Sequence, residues 1–245
     1  MHDDGYFDEP VAARYDEPGD AMFDAAAIDP AVDFLVQLAG AGRALEFGIG
    51  TGRIALPLSQ RGVQVHGIDM SNAMVKRLRE KPAGDDVGVT IGDFATTIVD
   101  GPFTVVYLVF NTIDNLITQA AQVACFRNAA AHLEPGGCFV IEVMVPALQS
   151  LPRGETLHAF HASETHWGID EYDVATQGLT SHHFEIVDGR VERTSAPFRY
   201  AWPAELDLMA QLAGMRLRER WGDWDRQPFT SDSRKHVSVW EKPTG

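Results

Sequence analysis

The sequence predicts an α/β fold, in which a doubly wound, mostly parallel sheet of seven strands carries helices on both faces. Short apolar runs alternate strictly with helix-like patterns up to residue 145, and this alternation is typical of parallel sheets. A three-glycine turn, Gly48-Ile49-Gly50-Thr51-Gly52, follows the first apolar run. Residues 156–200 instead show alternating polar-rich strands with an Asp188-Gly189 hairpin signal, which indicates an antiparallel insertion after the fifth strand.

The first half of the chain supplies a leading helix and three strands. Asp29 and Pro30 are expected to start that helix, because acids cap helices and proline suits their first turn. Pro57 falls in the helix after the glycine turn and should kink or shorten it. Ser71 is expected to cap the helix that follows the second strand. The three strands are expected at 43–47, 63–68 and 87–91.

The second half completes the sheet and carries the insertion. Residues 103–110 form a near-continuous apolar run, the pattern of a strand covered on both faces. The remaining elements are a helix at 118–133, a turn at 134–137, a strand at 138–145, a helix at 203–213 and closing strands at 215–221 and 236–241. We expect residues 1–28 to form a separate N-terminal segment and residues 29–245 to form one domain, with the insertion at 150–200.

Composition narrows the class of protein. The 245 residues carry a formal net charge of −15, and a strong negative field repels phosphate backbones, so no nucleic-acid partner is expected. Cys125 and Cys138 fall in helical and strand-like patterns, as expected for core thiols in a reducing compartment. No leader and no apolar run near the roughly 20 residues of a membrane span are seen. These features predict a cytoplasmic protein without a membrane partner.

Polar side chains stand at the carboxyl ends of four predicted strands: Glu46, Asp69, Asp93 and Asn111. Ligands of open α/β sheets bind beyond these ends. Asp69 follows Gly52 by 17 positions, where an acid reaches the ribose hydroxyls of a nucleotide. The sequence therefore predicts a nucleoside-binding crevice at this edge of the sheet.

The glycine spacing separates two families that share this sheet. Dinucleotide-binding proteins use G-x-G-x-x-G, whereas here an acid precedes G-x-G-x-G and Arg53 stands at the third fingerprint position. The stretch resembles motif I of the class I S-adenosylmethionine (SAM) dependent methyltransferases, in their small-molecule and natural-product branch. The resemblance covers roughly residues 10–145. It implies S-adenosyl-L-methionine as the cofactor and a Rossmann-like methyltransferase fold.

The resemblance also implies roles for single residues. It places Gly48 and Gly50, after Glu46, against the methionine and ribose parts of the cofactor. It gives Asp69 the two ribose hydroxyls. The other implied contacts are Met70 and Phe94 against the adenine, Asp93 on the adenine amino group, and Phe110 and Asn111 near the sulfonium. Arg14-Tyr15-Asp16 resembles a segment that forms a helical lid over the methionine end, although a disordered start is the alternative reading.

The expected reaction is an in-line displacement of a methyl group from sulfur by nitrogen or oxygen of a small-molecule acceptor. The protein must position both partners and remove a proton. The candidate catalytic residues are His166, His182 and Tyr15, since histidine titrates near neutral pH. His182 and His183 are adjacent on a predicted strand and must point to opposite faces. Although His158 and His161 are three residues apart, no metal site is predicted, because they lack a helix and a third ligand.

Several alternatives stay open at this point. The sequence lacks the N-P-P-Y and D-P-P-Y loops of base-amino methyltransferases and the Pro-Cys of cytosine-C5 enzymes, which favours a small metabolite or a peptide amine as acceptor. A non-catalytic SAM-binding protein is a second alternative. An NAD(P)-dependent oxidoreductase is disfavoured by the glycine spacing and by the absence of a Tyr-x-x-x-Lys set. Either a monomer or a homodimer is expected.

Overall fold

A computed structural model describes residues 6–16 and 21–244 of the chain. Its helices are α1 (Glu9–Arg14), α2 (Ala25–Ala39), α3 (Ala55–Gln60), α4 (Asn72–Arg79), α5 (Gln119–His132) and α6 (Pro203–Leu212). Its strands are β1 (Arg43–Phe47), β2 (Gln64–Asp69), β3 (Gly88–Ile91), β4 (Phe103–Leu108), β5 (Leu133–Met144), β6 (Leu157–Ala162), β7 (His166–Asp173), β8 (Gly178–Val187), β9 (Arg190–Arg199), β10 (Arg216–Trp221) and β11 (Lys235–Glu241). Among the described residues, no helix has the length and apolar character needed to cross a bilayer.

The main sheet has seven strands, as predicted, and their order is β10-β11-β5-β4-β1-β2-β3. β1 to β5 pair in parallel, and β11 is antiparallel to both of its neighbours. The strand order reverses between β1 and β4, because the chain continues to one side through β2 and β3 and returns to the other side at β4. A crevice opens beyond the carboxyl ends of the strands at such a reversal.

Two apolar clusters cover the two faces of the sheet. One cluster joins the buried faces of α2 and α3 to β1 and β4, and Val32, Leu35 and Leu58 are fully buried in it. The other joins α5 and α6 to the opposite face, with Phe126 and Phe139 at its centre. Burial on both faces explains why the strands are near-continuous apolar runs.

The insertion is a separate four-stranded antiparallel sheet with the order β6-β7-β8-β9. Its predicted Asp188-Gly189 turn is confirmed, because Val187 pairs with Arg190 across it. The sheet is fixed to the rest of the chain by a cluster around Tyr172, Leu179 and Tyr200. Arg199 at the end of β9 forms an ion pair of 2.7 Å with Glu205 of α6. Tyr172 and Tyr200, two of the insertion's aromatic residues, are therefore core residues of the attachment.

The starts of two elements, α2 and β5, differ from the prediction by at least four residues. α2 begins at Ala25, so Asp29 does not cap it and Pro30 lies inside it, and the last four residues of the predicted segment 1–28 belong to this helix. β5 begins at Leu133, because residues 134–137 continue the strand instead of forming a separate turn. The predicted cap at Ser71 is confirmed, since its hydroxyl oxygen accepts a hydrogen bond from the Met74 amide at 3.1 Å.

Candidate active site

The glycine turn links β1 to α3 at the point where the strand order reverses. Gly48, Gly50 and Gly52 all have positive φ angles, of 70°, 54° and 81°, which side chains with a Cβ rarely adopt. A Cβ on Gly48 would also lie 2.6 Å from the Thr112 methyl group. Glycine is required here both for the backbone conformation and for the approach of residue 112.

Asp69 fixes this turn to the end of β2. One carboxylate oxygen accepts a hydrogen bond from the Gly50 amide at 2.7 Å, and the other accepts from the Ser71 amide at 2.8 Å. Charged hydrogen bonds of this kind are the strong ones in proteins. The acid therefore holds the two loops together at the end of β2.

A cavity of about 360 Å³ lies over these loops. This volume falls within the range of roughly 300–1,000 Å³ that is typical of small-molecule sites. Six of the predicted cofactor residues line it at the strand ends: Gly48, Gly50, Asp69, Met70, Asp93 and Phe94. Sequence reasoning missed the remaining walls, which are Tyr6, Phe7, Ser71, Met74, Thr112, Asn115, Leu116, Ile117 and Pro197; Tyr15 was predicted as a lid residue.

The mixture of groups in this cavity suits a nucleoside that carries an amino acid. Phe94 lies at the cavity wall and stacks on Phe47, with ring centroids 5.9 Å apart. Asp93 is anchored by the Ala95 amide, which donates to one of its oxygens at 2.8 Å. Carboxylates at two strand ends beside apolar side chains can accept from hydroxyl and amino groups and cover a flat ring. The hydrogen-bond acceptors, the apolar side chains and the cavity size all fit SAM.

Glu46 lies behind the glycine turn and does not line the cavity. Its side chain is 3% exposed and accepts a hydrogen bond from the Tyr107 hydroxyl at 2.9 Å. Burial raises the pKa of Glu46 to about 8, against the opposing effects of the Tyr107 hydrogen bond and Arg53. Glu46 is thus built into the support of the turn, and its predicted contact with the cofactor stays a prediction.

Phe110 and Asn111 also lie outside the 360 Å³ cavity. Both have left-handed backbone angles, with φ of 56° and 58°. The Asn111 side-chain oxygen accepts a hydrogen bond from the Met144 amide at 2.7 Å, and the Phe110 amide donates to Glu142 at 3.1 Å. These bonds tie the residues to β5. Phe110 instead lines a neighbouring cavity of about 390 Å³, beside Arg53.

The N-terminal segment covers the 360 Å³ cavity from outside. α1 packs on α4, where Ala12 contacts a small cluster that contains Met74. The Ser71 hydroxyl donates to the Phe7 carbonyl at 2.5 Å, and Arg77 pairs with Glu9 at 2.6 Å. These contacts hold the aromatic rings of Tyr6, Phe7 and Tyr15 at the cavity wall.

A second and larger cavity, of about 780 Å³, lies between α1 and the insertion. Tyr6 and Tyr15 line both cavities, so the two spaces are neighbours across these rings. Arg14 of α1 and Glu185 of β8 form an ion pair of 3.2 Å that bridges the two sides of the larger cavity. One ligand at the strand ends and another under the insertion would therefore both lie against Tyr6 and Tyr15.

The histidines of the insertion separate into two groups. His166 and His183 line the larger cavity, and their ring nitrogens Nε2 and Nδ1 are 3.0 Å apart. His182 lines neither cavity and contacts Ser195 at 2.8 Å and Glu171 at 3.2 Å. The structure thus brings His166 and Tyr15 together at the larger cavity but not His182. Within the described ranges, no group of three or more metal-ligating side chains is placed to hold an ion.

Comparison with known proteins identifies the family. Residues 44–137 match a family described as "Methyltransferase domain". The structure of the CcbJ methyltransferase from Streptomyces caelestis is 38% identical and has a TM-score of 0.86, with 98% of this chain and 99% of that chain covered. The chain belongs to the class I SAM-dependent methyltransferases.

Two further proteins resemble this methyltransferase over almost its whole length. The cypemycin N-terminal methyltransferase of a Streptomyces species is 27% identical, over 99% of this chain and 100% of its own length. SAM-bound CalS10, an amino pentose methyltransferase from Micromonospora echinaspora, has a TM-score of 0.66 at 22% identity, over 99% and 100% of the two chains, and so shows the same fold. The enzyme is therefore a transferase that uses SAM.

Proposed function

We propose that this methyltransferase transfers a methyl group from SAM to an amino group of an acceptor bound between α1 and the insertion. The observation that carries the proposal is the pair of neighbouring cavities that share Tyr6 and Tyr15. Methyl transfer needs two ligands whose reacting atoms meet in line. The 360 Å³ cavity at the strand ends suits the cofactor, and the 780 Å³ cavity leaves room for acceptors of different sizes.

On the cofactor side, we propose that Asp69 accepts from the ribose hydroxyls, with Met70 and Phe94 against the adenine and Asp93 on its amino group. Gly48 and Gly50 border the methionine part, and Tyr15 covers it from the N-terminal segment. SAM supplies a methyl group on a positively charged sulfur. The residues of this chain hold the cofactor in one orientation and keep water away from the acceptor nitrogen.

Charge supports an amine as the acceptor. The formal net charge of −15 raises the local concentration of cations, and an amine is a cation before it reacts. The wall of the larger cavity carries the carboxylates of Asp8 and Glu185 and one guanidinium, that of Arg14, which pairs with Glu185. The ammonium must lose a proton before its nitrogen can attack, and we propose His166 as the group that accepts it, since His166 also lines this cavity.

A peptide with a free N-terminus is the second candidate acceptor. One relative that matches over nearly the whole chain is named for the N-terminal methylation of cypemycin. The ion pair that bridges the two sides of the larger cavity joins exposed side chains. A peptide chain that enters there can readily rearrange such a pair. Small amines and peptides are thus distinguished by size and not by reaction chemistry.

A methyl-transfer screen with mass detection tests the proposal. The panel contains amino sugars, other small amines and short peptides with free N-termini, each beside its N-acetylated form as the matched control. We expect methylation of at least one free amine and none of its acetylated partner, because acetylation removes the nucleophilic lone pair. Methylation that is unaffected by acetylation would assign the reaction to oxygen and overturn the amine assignment.

A further inference from the structure

We propose that His166 and His183 act as one proton-accepting unit, in which His183 is a positioning residue that shares the proton taken up by His166. This inference rests on the proposed function, because it concerns the proton released by the acceptor amine. His182, although adjacent to His183 in sequence, has no part in the unit.

The geometry of the two rings carries the proposal. His166 Nε2 and His183 Nδ1 are 3.0 Å apart, and the ring planes are within 8° of parallel. A nitrogen–nitrogen contact of this length requires one ring to donate and the other to accept. The two histidines therefore have complementary tautomers, and the outer nitrogen of His166, Nδ1, is left for the acceptor.

Surrounding side chains fix this pair in position. The Phe160 ring packs edge-on against His183, with centroids 5.4 Å apart. Gly168 makes that contact possible, because a Cβ at this position would overlap the Phe160 ring. His161 lies against the other side of His166, with centroids 4.7 Å apart. Each histidine of the pair therefore has one further ring packed against it.

The proton of the acceptor ammonium would pass first to His166 and then toward His183. The nitrogen–hydrogen bond of the ammonium breaks, its electron pair stays on the acceptor nitrogen, and the proton bonds to Nδ1 of His166. The Nε2 proton of His166 then moves along the hydrogen bond toward Nδ1 of His183, so the positive charge is spread over two rings. The lone pair on the acceptor would form the new bond to the methyl carbon as the carbon–sulfur bond breaks and its electron pair stays on sulfur, and the proton later leaves to solvent.

The charges around the pair limit it to one proton. Burial and the adjacent His166 lower the pKa of His183, Glu185 opposes this effect, and His161 and His182 lower the pKa further by smaller amounts. The titratable and charged groups that face the pair are His161 of β6, Glu185 of β8, and Asp8, Arg14, Tyr6 and Tyr15 of the N-terminal segment. Two imidazolium rings 3.0 Å apart repel, so the second proton binds only at a distinctly lower pH than the first.

Histidine titration by NMR tests the pair without any acceptor. We expect the His166 and His183 signals of the full-length protein, with S-adenosylhomocysteine present, to follow the same two separated steps. In His183→Asn, the His166 signal should show one step only. Independent single-step titration of both histidines in the parent would overturn the proposal. This measurement does not depend on methyl transfer, so it separates failure of the pair from failure of the proposed function.

Kinetics on the best acceptor of the screen give the second test. His183→Leu removes the partner nitrogen, and we expect kcat to fall about 10- to 100-fold with little change in KM. This loss lies at or below the lower end of general acid–base effects, about 100- to 10,000-fold, because His183 acts through His166. The acid limb of the rate profile should move to lower pH, because the imidazolium of His166 loses its stabilising contact. His183→Asn keeps an oxygen acceptor near the Nδ1 position and should recover most of the rate.

The rival assignment, in which His182 is the base, is tested by the corresponding leucine substitution at His182. We expect His182→Leu to leave the acid limb where it is, since its ring contacts Glu171 and Ser195 and lines neither cavity. A shift of the acid limb in the His182 variant, or equal loss in His183→Asn and His183→Leu, would overturn the proposal. Thermal unfolding of each variant shows whether a loss reflects misfolding; a misfolded leucine variant leaves the asparagine variant and the NMR titration to decide.

Discussion

The two neighbouring cavities are built in different ways. The floor of the 360 Å³ cavity comes from main-chain turns at the carboxyl ends of β1 to β4, which are joined by hydrogen bonds such as those of Asp69. The 780 Å³ cavity is bounded by side chains from α1 and from β7 to β9, regions about 150 residues apart in sequence. Its two sides are bridged by Arg14 and Glu185, whose side chains are 59% and 41% exposed.

Main-chain conformation therefore shapes the smaller cavity, whereas exposed side chains shape the larger one. The side proposed for the cofactor depends on backbone conformations that few substitutions tolerate, such as the positive φ of Gly48. The side proposed for the acceptor depends on exposed side chains, and their ion pair contributes less than about 1 kcal/mol. A change on the first side should abolish the cofactor site, whereas a change on the second should alter which acceptor is used.

The largest expected effect is at Asp69. Asp69→Ala removes a carboxylate that binds two loop amides and is proposed to bind two ribose hydroxyls, and a charged hydrogen bond contributes about 1.5–3 kcal/mol. We expect SAM affinity to fall about 100-fold, since each 1.4 kcal/mol is tenfold. Calorimetric titration measures it, with the exposed Asp85→Ala as the control. Unchanged SAM affinity in folded Asp69→Ala would show that this crevice is not the cofactor site.

Tyr15 tests whether the two cavities share a wall. Tyr15→Ala removes a ring that lines both cavities and packs against Phe7 and Phe23 at 6.2 and 6.0 Å. Aromatic pairs contribute about 0.5–1.5 kcal/mol each, so we expect SAM affinity to fall and the acceptor KM to rise, each by roughly tenfold. Titration and steady-state kinetics measure the two losses. A loss confined to one ligand would mean that Tyr15 serves one cavity only.

Asp114 is a buried acid that should make the stability of the protein depend on pH. Both of its oxygens are buried without a hydrogen-bond partner among the described residues, and burial raises its pKa well above the ordinary value, against the effect of Arg199. The folded state therefore holds a proton that the unfolded state releases near pH 4, and stability falls as pH rises from there.

We expect Asp114→Asn to remove that fall and to raise the free energy of unfolding at pH 8 by about 1 kcal/mol, the lower limit for an unsatisfied buried group. Chemical denaturation at pH 4 and pH 8 measures this, and the two proteins should differ little at pH 4. An identical pH dependence of parent and variant would mean that Asp114 is solvated.

The smallest expected effect is at Glu46. Because its pKa is raised to about 8, the carboxyl is mostly protonated at pH 7, and Glu46→Gln replaces it by a neutral group of the same shape. We expect SAM affinity at pH 7 to change by less than about threefold, or roughly 0.6 kcal/mol. The parent should lose stability between about pH 4.5 and pH 8, and the variant should not. A tenfold loss of SAM affinity would restore Glu46 as a direct cofactor contact.

Local patterns in the sequence were sufficient for most of the main sheet. The alternation of apolar runs and helical stripes predicted the strands β1 to β4, and the Asp188-Gly189 turn predicted the hairpin. The start of α2 was missed because Pro30 reads as a helix start, although its missing amide is tolerated inside this helix. Propensity is a weaker signal than the apolar stripe that α2 buries on the sheet.

The cavity walls could be predicted only in part, for a physical reason. Residues at strand ends are brought together by the sheet itself, so Asp69, Asp93 and the glycines could be named from the sequence. Tyr6 and Ile117 reach the same cavity through loop paths that no periodicity encodes. Alternation showed that His182 and His183 face opposite ways, but only the packing of the insertion decides which of them meets His166.

The position of the N-terminal segment has a kinetic consequence. Tyr6, Phe7 and Tyr15 line the 360 Å³ cavity proposed for the cofactor, and Asp16 is held by the Thr51 hydroxyl at 2.7 Å and by Lys81 at 2.6 Å. We expect the methylated acceptor to leave first and the spent cofactor to leave second, after these contacts open. Release of S-adenosylhomocysteine should then be rate-limiting and should accelerate with salt, which screens ion pairs. Product-inhibition patterns that indicate random release would contradict this order.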